Sequence, residues 1–142
     1  MENNMEASPF VKKLIRHFVL WITGGIAYFY IEIIFRGFSH YSMIICGGFC
    51  FLLVGEIGVD ILYSGQPFYI LKIMGLAALV ITTLEFFTGI IVNKIFQLGV
   101  WDYSTVRGNI MGQVCLPYTF LWGVLGLVCV YITDMIDRFI LS

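Results

Sequence analysis

The stretch that decides the fold is residues 68–96, "FYILKIMGLAALVITTLEFFTGIIVNKIF". The hydrocarbon core of a membrane is about 30 Å thick, and roughly 20 apolar residues of helix cross it. This stretch is long enough to cross, yet it carries Glu85 and Asn93 in its second half. It therefore predicts a transmembrane helix with polar groups inside the membrane, where ionisable side chains are costly and often functional.

Three further segments of similar length and composition flank that stretch. Together they give four predicted spans, at about residues 14–35, 42–63, 68–96 and 109–136. The residues before the first span are polar and basic, and we interpret them as a short N-terminal amphipathic lead. We expect an all-α fold in which residues 1–142 form a single polytopic membrane domain, a bundle of four transmembrane helices.

The composition excludes several classes of protein. Hydrophobic residues make up 60% of the chain and charged residues 12%, whereas a soluble domain carries roughly a quarter charged residues. The net charge is −1 and no basic stripe is present, so nucleic acid is not an expected partner. The four cysteines lie in apolar runs without the paired spacing of zinc ligands, so we predict neither a metal nor a cofactor.

The distribution of basic residues suggests an orientation in the membrane. With four spans, both termini and the second connection share one side, which holds five basic residues: Lys12, Lys13, Arg16, Lys72 and Arg138. The opposite side holds three: Arg36, Lys94 and Arg107. The excess favours a multi-pass protein with both termini in the cytoplasm and with the segment "VWDYSTVRG" (residues 100–108) outside.

The polar residues of the third span fall on one face of a helix. Small and polar residues recur there at spacings of three and four: Gly75, Ala78, Thr82, Glu85, Gly89 and Asn93. Such a face either lines a cavity or packs tightly on another helix, with the polar groups bonding across the contact. Glu56, in the second span, is expected nearer the cytoplasmic side and apart from this face.

Further polar and aromatic groups are predicted at the same outer end. We place Glu32 there with its i,i+4 partner Arg36, and the predicted ligand-binding set is Glu32, Glu85, Asn93, Trp101, Asp102, Tyr103, Asn109 and Gln113. Trp101 and Tyr103 either form a lid over this cavity or anchor the loop at the membrane surface, where such aromatics are common. Asp102 is interpreted as a lid residue, a partner of Arg107 or a helix cap.

The chain resembles a known family. The motifs are "GGFCFLLVGEIG" (47–58), "TTLEFFTGIIVN" (82–93) and "VWDYSTVRGNIMGQVCL" (100–116), within a resemblance that extends over about residues 24–130. They are similar to small bacterial membrane proteins described as type IV ABC transporter permeases, the CmpB-like family. The resemblance implies transport across the bacterial inner membrane and a separate ATPase or other transport subunit. The second connection, "SGQP", is however too short for the coupling helix of a permease.

We therefore predict a small integral membrane protein of a transport system, which binds a small polar or amphipathic ligand in an outward-facing pocket. Since four helices enclose little volume, a homo-oligomer, most simply a dimer, is expected in the lipid bilayer. One alternative is an intramembrane enzyme that acts on a lipid or isoprenoid, with Glu85 or Asp102 as acid or base. Another is a structural or regulatory subunit without a ligand. A non-enzymatic role is favoured.

Overall fold

A computed structural model describes residues 7–142 of the chain. Four α-helices dominate these residues, and the third continues into a π-helical turn. The helices are α1 (Pro9–Arg36), α2 (Tyr41–Tyr63), α3 (Tyr69–Gly89, followed by the π-helical turn Ile90–Ile95) and α4 (Leu116–Leu141). Two short antiparallel strands, β1 (Asn109–Ile110) and β2 (Val114–Cys115), form a hairpin between the π-helical turn and α4.

All four helices of the described residues are long and apolar enough to cross a membrane. The predicted fold class, an all-α membrane bundle, is therefore confirmed. The first six residues of the predicted amphipathic lead lie outside the described residues. Its remainder does not form a separate element, because α1 starts at Pro9 and runs on without a break. Proline suits this position since its missing N–H would be unpaired in the first turn.

The fourth helix begins later than the sequence pattern predicts. We expected a span from about residue 109, but residues 109–115 form the hairpin and α4 starts at Leu116. Gly108, Met111 and Gly112 have φ values of +71°, +53° and +71°, which a right-handed helix does not allow. Pro117 then occupies the first turn of α4, a position that proline favours.

Glycines allow the helices to approach closely. A methyl group at Gly24 of α1 would lie 2.1 Å from Cβ of Phe51 in α2, and one at Gly126 of α4 would lie 2.0 Å from Cβ of Ala77 in α3. The helix α2 is central and packs against each of the other three, whereas α1 and α4 share a smaller contact. The contact between α1 and α4 is therefore smaller than any that α2 makes.

The two ends of the bundle carry separate polar groups. At the end of the bundle where α1 starts and α4 ends, Arg16 of α1 forms ion pairs with Glu56 of α2 and Asp137 of α4. Its Nη2 donates to Asp137 Oδ2 over 2.9 Å. The hairpin and the π-helical turn lie at the other end of the bundle, and so does the ion pair between Glu32 and Arg36.

Candidate functional site

Glu85 of α3 is the centre of the candidate site. Only 1% of its surface is exposed, and it receives two hydrogen bonds from neighbouring helices. The Tyr28 hydroxyl of α1 donates to Oε1 over 3.1 Å, and Trp122 Nε1 of α4 donates to Oε2 over 2.9 Å. Glu85 therefore joins α1, α3 and α4 in the interior of the bundle, as the helical pattern predicted for its face.

Aromatic rings continue from this carboxyl group towards the hairpin. Tyr28 stacks on Trp122 with ring centroids 5.2 Å apart. Trp122 lies 6.3 Å from Tyr118, and Tyr118 stacks on Tyr103 at 5.1 Å. Stacked pairs at such distances add about 0.5–1.5 kcal/mol to the burial of their area. The four rings form a column from the loop to Glu85, which we call the aromatic column.

A small cavity lies beside the inner end of the aromatic column. Its volume is about 110 Å³, and its lining is almost entirely apolar. Tyr28 and Trp122 form part of the wall, and Ala27 of α1 and Leu125 of α4 also line the cavity. Glu85 itself does not line this cavity. Its carboxyl group lies behind the two rings that donate to it.

The amide groups of Asn93 and Gln113 attach the hairpin to the end of α3. Asn93 Nδ2 donates to Gln113 Oε1 over 2.9 Å, and the backbone N–H of Val100 donates to Asn93 Oδ1 over 2.7 Å. Gln113 is 2% exposed, and its Nε2 donates to the carbonyl of Met111. The structure thus brings these two predicted residues together through one hydrogen bond, and backbone groups of Val100 and Met111 pair with their remaining amide atoms.

Trp101 and Tyr103 point into the protein. They are 5% and 6% exposed, and Trp101 Nε1 donates to the Gln113 carbonyl over 2.8 Å. The guanidinium carbon of Arg36 lies 5.6 Å from the centroid of the Trp101 ring, within the range of a cation–π contact. Burial raises the pKa of the Tyr103 phenol, which therefore stays neutral at ordinary pH. Both aromatic side chains are thus buried at the hairpin end of the bundle, and their role as a lid stays a prediction.

Asp102 and Asn109 lie outside this interior network. Asp102 is exposed, and its Oδ1 accepts from the backbone N–H of Ser104 over 2.9 Å. That bond lowers the pKa of the Asp102 carboxyl. Asn109 Nδ2 donates to the carbonyl of Val106 over 2.8 Å, and its Oδ1 accepts from Gly112 N. Both side chains shape the loop, and no ion pair joins Asp102 to Arg107 among residues 7–142.

The other predicted carboxyl groups take separate positions. Glu32 is buried and forms its ion pair with Arg36 at the hairpin end of α1. Glu56 lies at the opposite end, where it pairs with Arg16 and lies 3.1 Å from His17 Nε2. Within the described residues, no group of three or more histidine, cysteine or acidic side chains is placed to hold a metal ion.

The polar stripe of α3 is used mainly for packing on α4 and the hairpin. Thr82 Oγ1 donates to Thr119 Oγ1 over 3.0 Å. A methyl group at Gly89 would lie 2.5 Å from Gln113 Oε1. At Gly75, by contrast, added atoms would meet nothing within 4 Å. The end of the stripe near Gly75 is therefore unfilled.

Tyr28 and Trp122, the two residues that donate hydrogen bonds to Glu85, were not among the predicted site residues. A signal for Trp122 was present, because a tryptophan near the middle of a span is away from the membrane surface where this residue is common. A buried indole N–H also needs an acceptor, and Glu85 is an acceptor side chain within a neighbouring predicted span. Tyr28 shares a helix face with Glu32 but gave no signal of its own.

Comparison with known proteins supports the predicted family. A family model described as "Putative ABC-transporter type IV" matches residues 13–142, which is nearly the whole chain. The match confirms the resemblance that the motifs around Glu85 and Trp101 predicted. No curated protein and no solved structure is significantly similar to the chain.

Proposed function

The chain belongs to the family described as "Putative ABC-transporter type IV", and on that premise we propose that it binds a small amphipathic ligand between its helices. Its family and the four membrane-length helices of residues 7–142 support a multi-pass membrane protein of a transport system. The ligand, its place beside Glu85 and the orientation of the chain are our proposal.

One observation carries the proposal: Tyr28 and Trp122 line the cavity and also donate hydrogen bonds to the carboxyl group of Glu85. Their rings line the cavity of about 110 Å³, while the Tyr28 hydroxyl and the Trp122 N–H donate to Glu85. A ligand that enters the cavity and shifts either ring must therefore change the hydrogen bonds of a buried acid. Binding and the state of Glu85 are coupled through two side chains.

The chemistry of these groups favours a cationic ligand with an apolar part. Among residues 7–142, Glu85 forms no ion pair, whereas Glu32 is paired with Arg36. A positive group at the two rings would be attracted by their π faces and would favour the ionised form of the carboxyl group behind them. The apolar walls formed by Ala27, Leu125 and their neighbours suit a hydrocarbon chain.

Entry of such a ligand requires movement of α1 relative to α4. The cavity is smaller than the roughly 300–1,000 Å³ that drug-sized ligands occupy, and residues of both α1 and α4 line it. The small contact between these helices makes their separation less costly than any movement of α2. Opening between α1 and α4 would admit a ligand from the side, out of the lipid.

The hairpin and lid are proposed to face outward. With both termini in the cytoplasm, Trp101 and Tyr103 close the outer end of the aromatic column over Glu85. The family also supports an ATPase partner, which we include in the proposal. We also propose a homodimer, since a single bundle of this size encloses too little space for a transport path.

Alkylation of Cys50, which lines the cavity, tests the proposal. Cys46, Cys115 and Cys129 are replaced by alanine, and the protein is purified in a neutral maltoside detergent. The rate at which N-ethylmaleimide modifies Cys50 is measured by mass spectrometry, with and without decyltrimethylammonium. We expect the cation to slow the reaction, because its head group and chain occupy the cavity.

Two variants in this background separate binding at Glu85 from a general detergent effect. Glu85→Gln should abolish the protection by decyltrimethylammonium, because it removes the negative charge behind Tyr28 and Trp122. Glu56→Gln, a change of the same kind at the opposite end of the bundle, should retain it. Absence of protection in the parent protein, or equal protection in both variants, would contradict the proposed site and leave the subunit without a ligand role.

A further inference from the structure

A second surface, distinct from the cavity at Tyr28, has the form of a lipid site. It is an open groove of about 1030 Å³ between α3 and the first turns of α4. Ala78 lies on one side and Leu116, Pro117 and Phe120 on the other, with Arg107 also in the lining. We call it the Arg107 groove.

The walls of the Arg107 groove are mostly apolar and suit a hydrocarbon chain. Leu116 and Phe120 are 69% and 70% exposed, and both belong to a helix long and apolar enough to cross the membrane. Opposite them, α3 presents Ala78 and, one turn away, Gly75, at which an added methyl group would meet nothing within 4 Å. Small residues facing large ones leave a channel along the two helices, which lipid must fill in a bilayer.

Arg107 supplies a positive charge in the same lining. It lies in the loop at the hairpin end of the bundle, just before β1 and nine residues before α4 begins, and we place this end of the bundle at the head groups. The next residue, Gly108, packs closely on α4, because a methyl group there would lie only 3.0 Å from Cβ of Leu116. Among residues 7–142, no acidic side chain forms an ion pair with Arg107, so its charge is available to a ligand.

We propose that the Arg107 groove binds an anionic phospholipid, whose phosphate pairs with Arg107 and whose acyl chain lies between Ala78 and Phe120. A cation at head-group level above an apolar channel complements the two parts of such a lipid. A second copy of the chain fits less well. In a two-fold contact through this groove, the same patch would face itself and place the two Arg107 side chains near each other.

Native mass spectrometry tests this assignment. The detergent-purified protein is titrated with dioleoylphosphatidylglycerol or dioleoylphosphatidylcholine, which have the same chains, and the lipid adducts are counted. We expect the first adduct to form with the anionic lipid in preference. Arg107→Gln should weaken that adduct about fivefold, the effect of one basic residue at an anionic surface. Ala78→Phe, which fills the channel, should weaken adducts of both lipids.

Lys94→Gln is the matched control, because Lys94 is an exposed cation at the same end of the bundle that does not line the groove. It should leave the phosphatidylglycerol adduct unchanged. Equal loss in Lys94→Gln and Arg107→Gln would reduce the effect to net charge and overturn the site. Loss of a protein dimer in Ala78→Phe, with lipid adducts unaffected, would instead assign the groove to an interface between copies. Neither result depends on the cavity beside Glu85.

Discussion

Asn93, which lies in the π-helical turn at the end of the third helix, donates its side-chain N–H to Gln113 Oε1 in the hairpin over 2.9 Å. The same Asn93 accepts from the backbone of Val100 over 2.7 Å. One side chain thus contacts both the loop at Val100 and the turn of the hairpin at Gln113. Single π-helical turns occur often at functional sites, and here the turn carries Asn93, which joins the hairpin to the end of α3.

Replacement of Asn93 by alanine should destabilise the protein. The change leaves the Val100 N–H and the Oε1 atom of the buried Gln113 without their Asn93 partner, and an unsatisfied buried group costs about 1–3 kcal/mol. We expect a lower midpoint of thermal unfolding in detergent and altered fluorescence of Trp101, which bonds to the Gln113 carbonyl. Lys94→Ala is the control, since the adjacent Lys94 is exposed. A midpoint equal to that of the control would contradict this role for Asn93.

Glu85→Ala should be more destabilising than Glu85→Gln. Alanine leaves the Trp122 N–H and the Tyr28 hydroxyl without their acceptor and creates a cavity in a buried position. Glutamine keeps one acceptor oxygen for Trp122, and its amide can donate to the Tyr28 oxygen. The expected difference is about 1–3 kcal/mol in the free energy of unfolding, measured by chemical denaturation in mixed micelles.

Tyr28→Phe completes this comparison because it removes one donor and keeps the ring. It should cost about 0.5–1.5 kcal/mol, the usual net contribution of one hydrogen bond. If Glu85→Ala and Glu85→Gln were equally stable, the two hydrogen bonds would not hold the helices together.

The fold was largely predictable from the sequence, because each span is a long apolar segment and length alone determines membrane crossing. The exception is the start of α4. Asn109, Gly112 and Gln113 follow helical spacing, yet the backbone at Met111 and Gly112 is left-handed. Nothing in the periodicity of side chains reports this conformation, and only Gly108 and Gly112 gave a local warning of a turn.

The site was predictable only in part. Buried polar groups such as Glu85 and Asn93 need hydrogen-bond partners inside the protein, so it could be expected from burial alone that each has them. Which partners they find depends on how the helices rotate against one another, and that is set by glycine contacts such as Gly24 on Phe51. Asp102 was placed with the interior group, but as a short side chain in a turn it bonds to Ser104 instead.

Two glycine substitutions should have opposite effects on stability. Gly126→Ala places a methyl group 2.0 Å from Cβ of Ala77, so α3 and α4 must separate. We expect a loss of about 1–3 kcal/mol, typical of overpacking. Gly75→Ala meets nothing within 4 Å and should be neutral or gain up to about 1 kcal/mol from helix propensity. Thermal unfolding of both variants in the same detergent checks this, and similar losses would contradict the close packing at Gly126.

Labelling of single cysteines tests the proposed orientation. The native cysteines Cys46, Cys50, Cys115 and Cys129 are all buried, so an added exposed cysteine gives the main signal. Ser104 is exposed in the loop beside the lid, and Ser104→Cys should react with a membrane-impermeant maleimide on intact cells. Ser142→Cys, at the other end of the bundle, should react only after the membrane is permeabilised. The reverse pattern would place the hairpin in the cytoplasm, because one membrane-length helix, α4, separates the two positions.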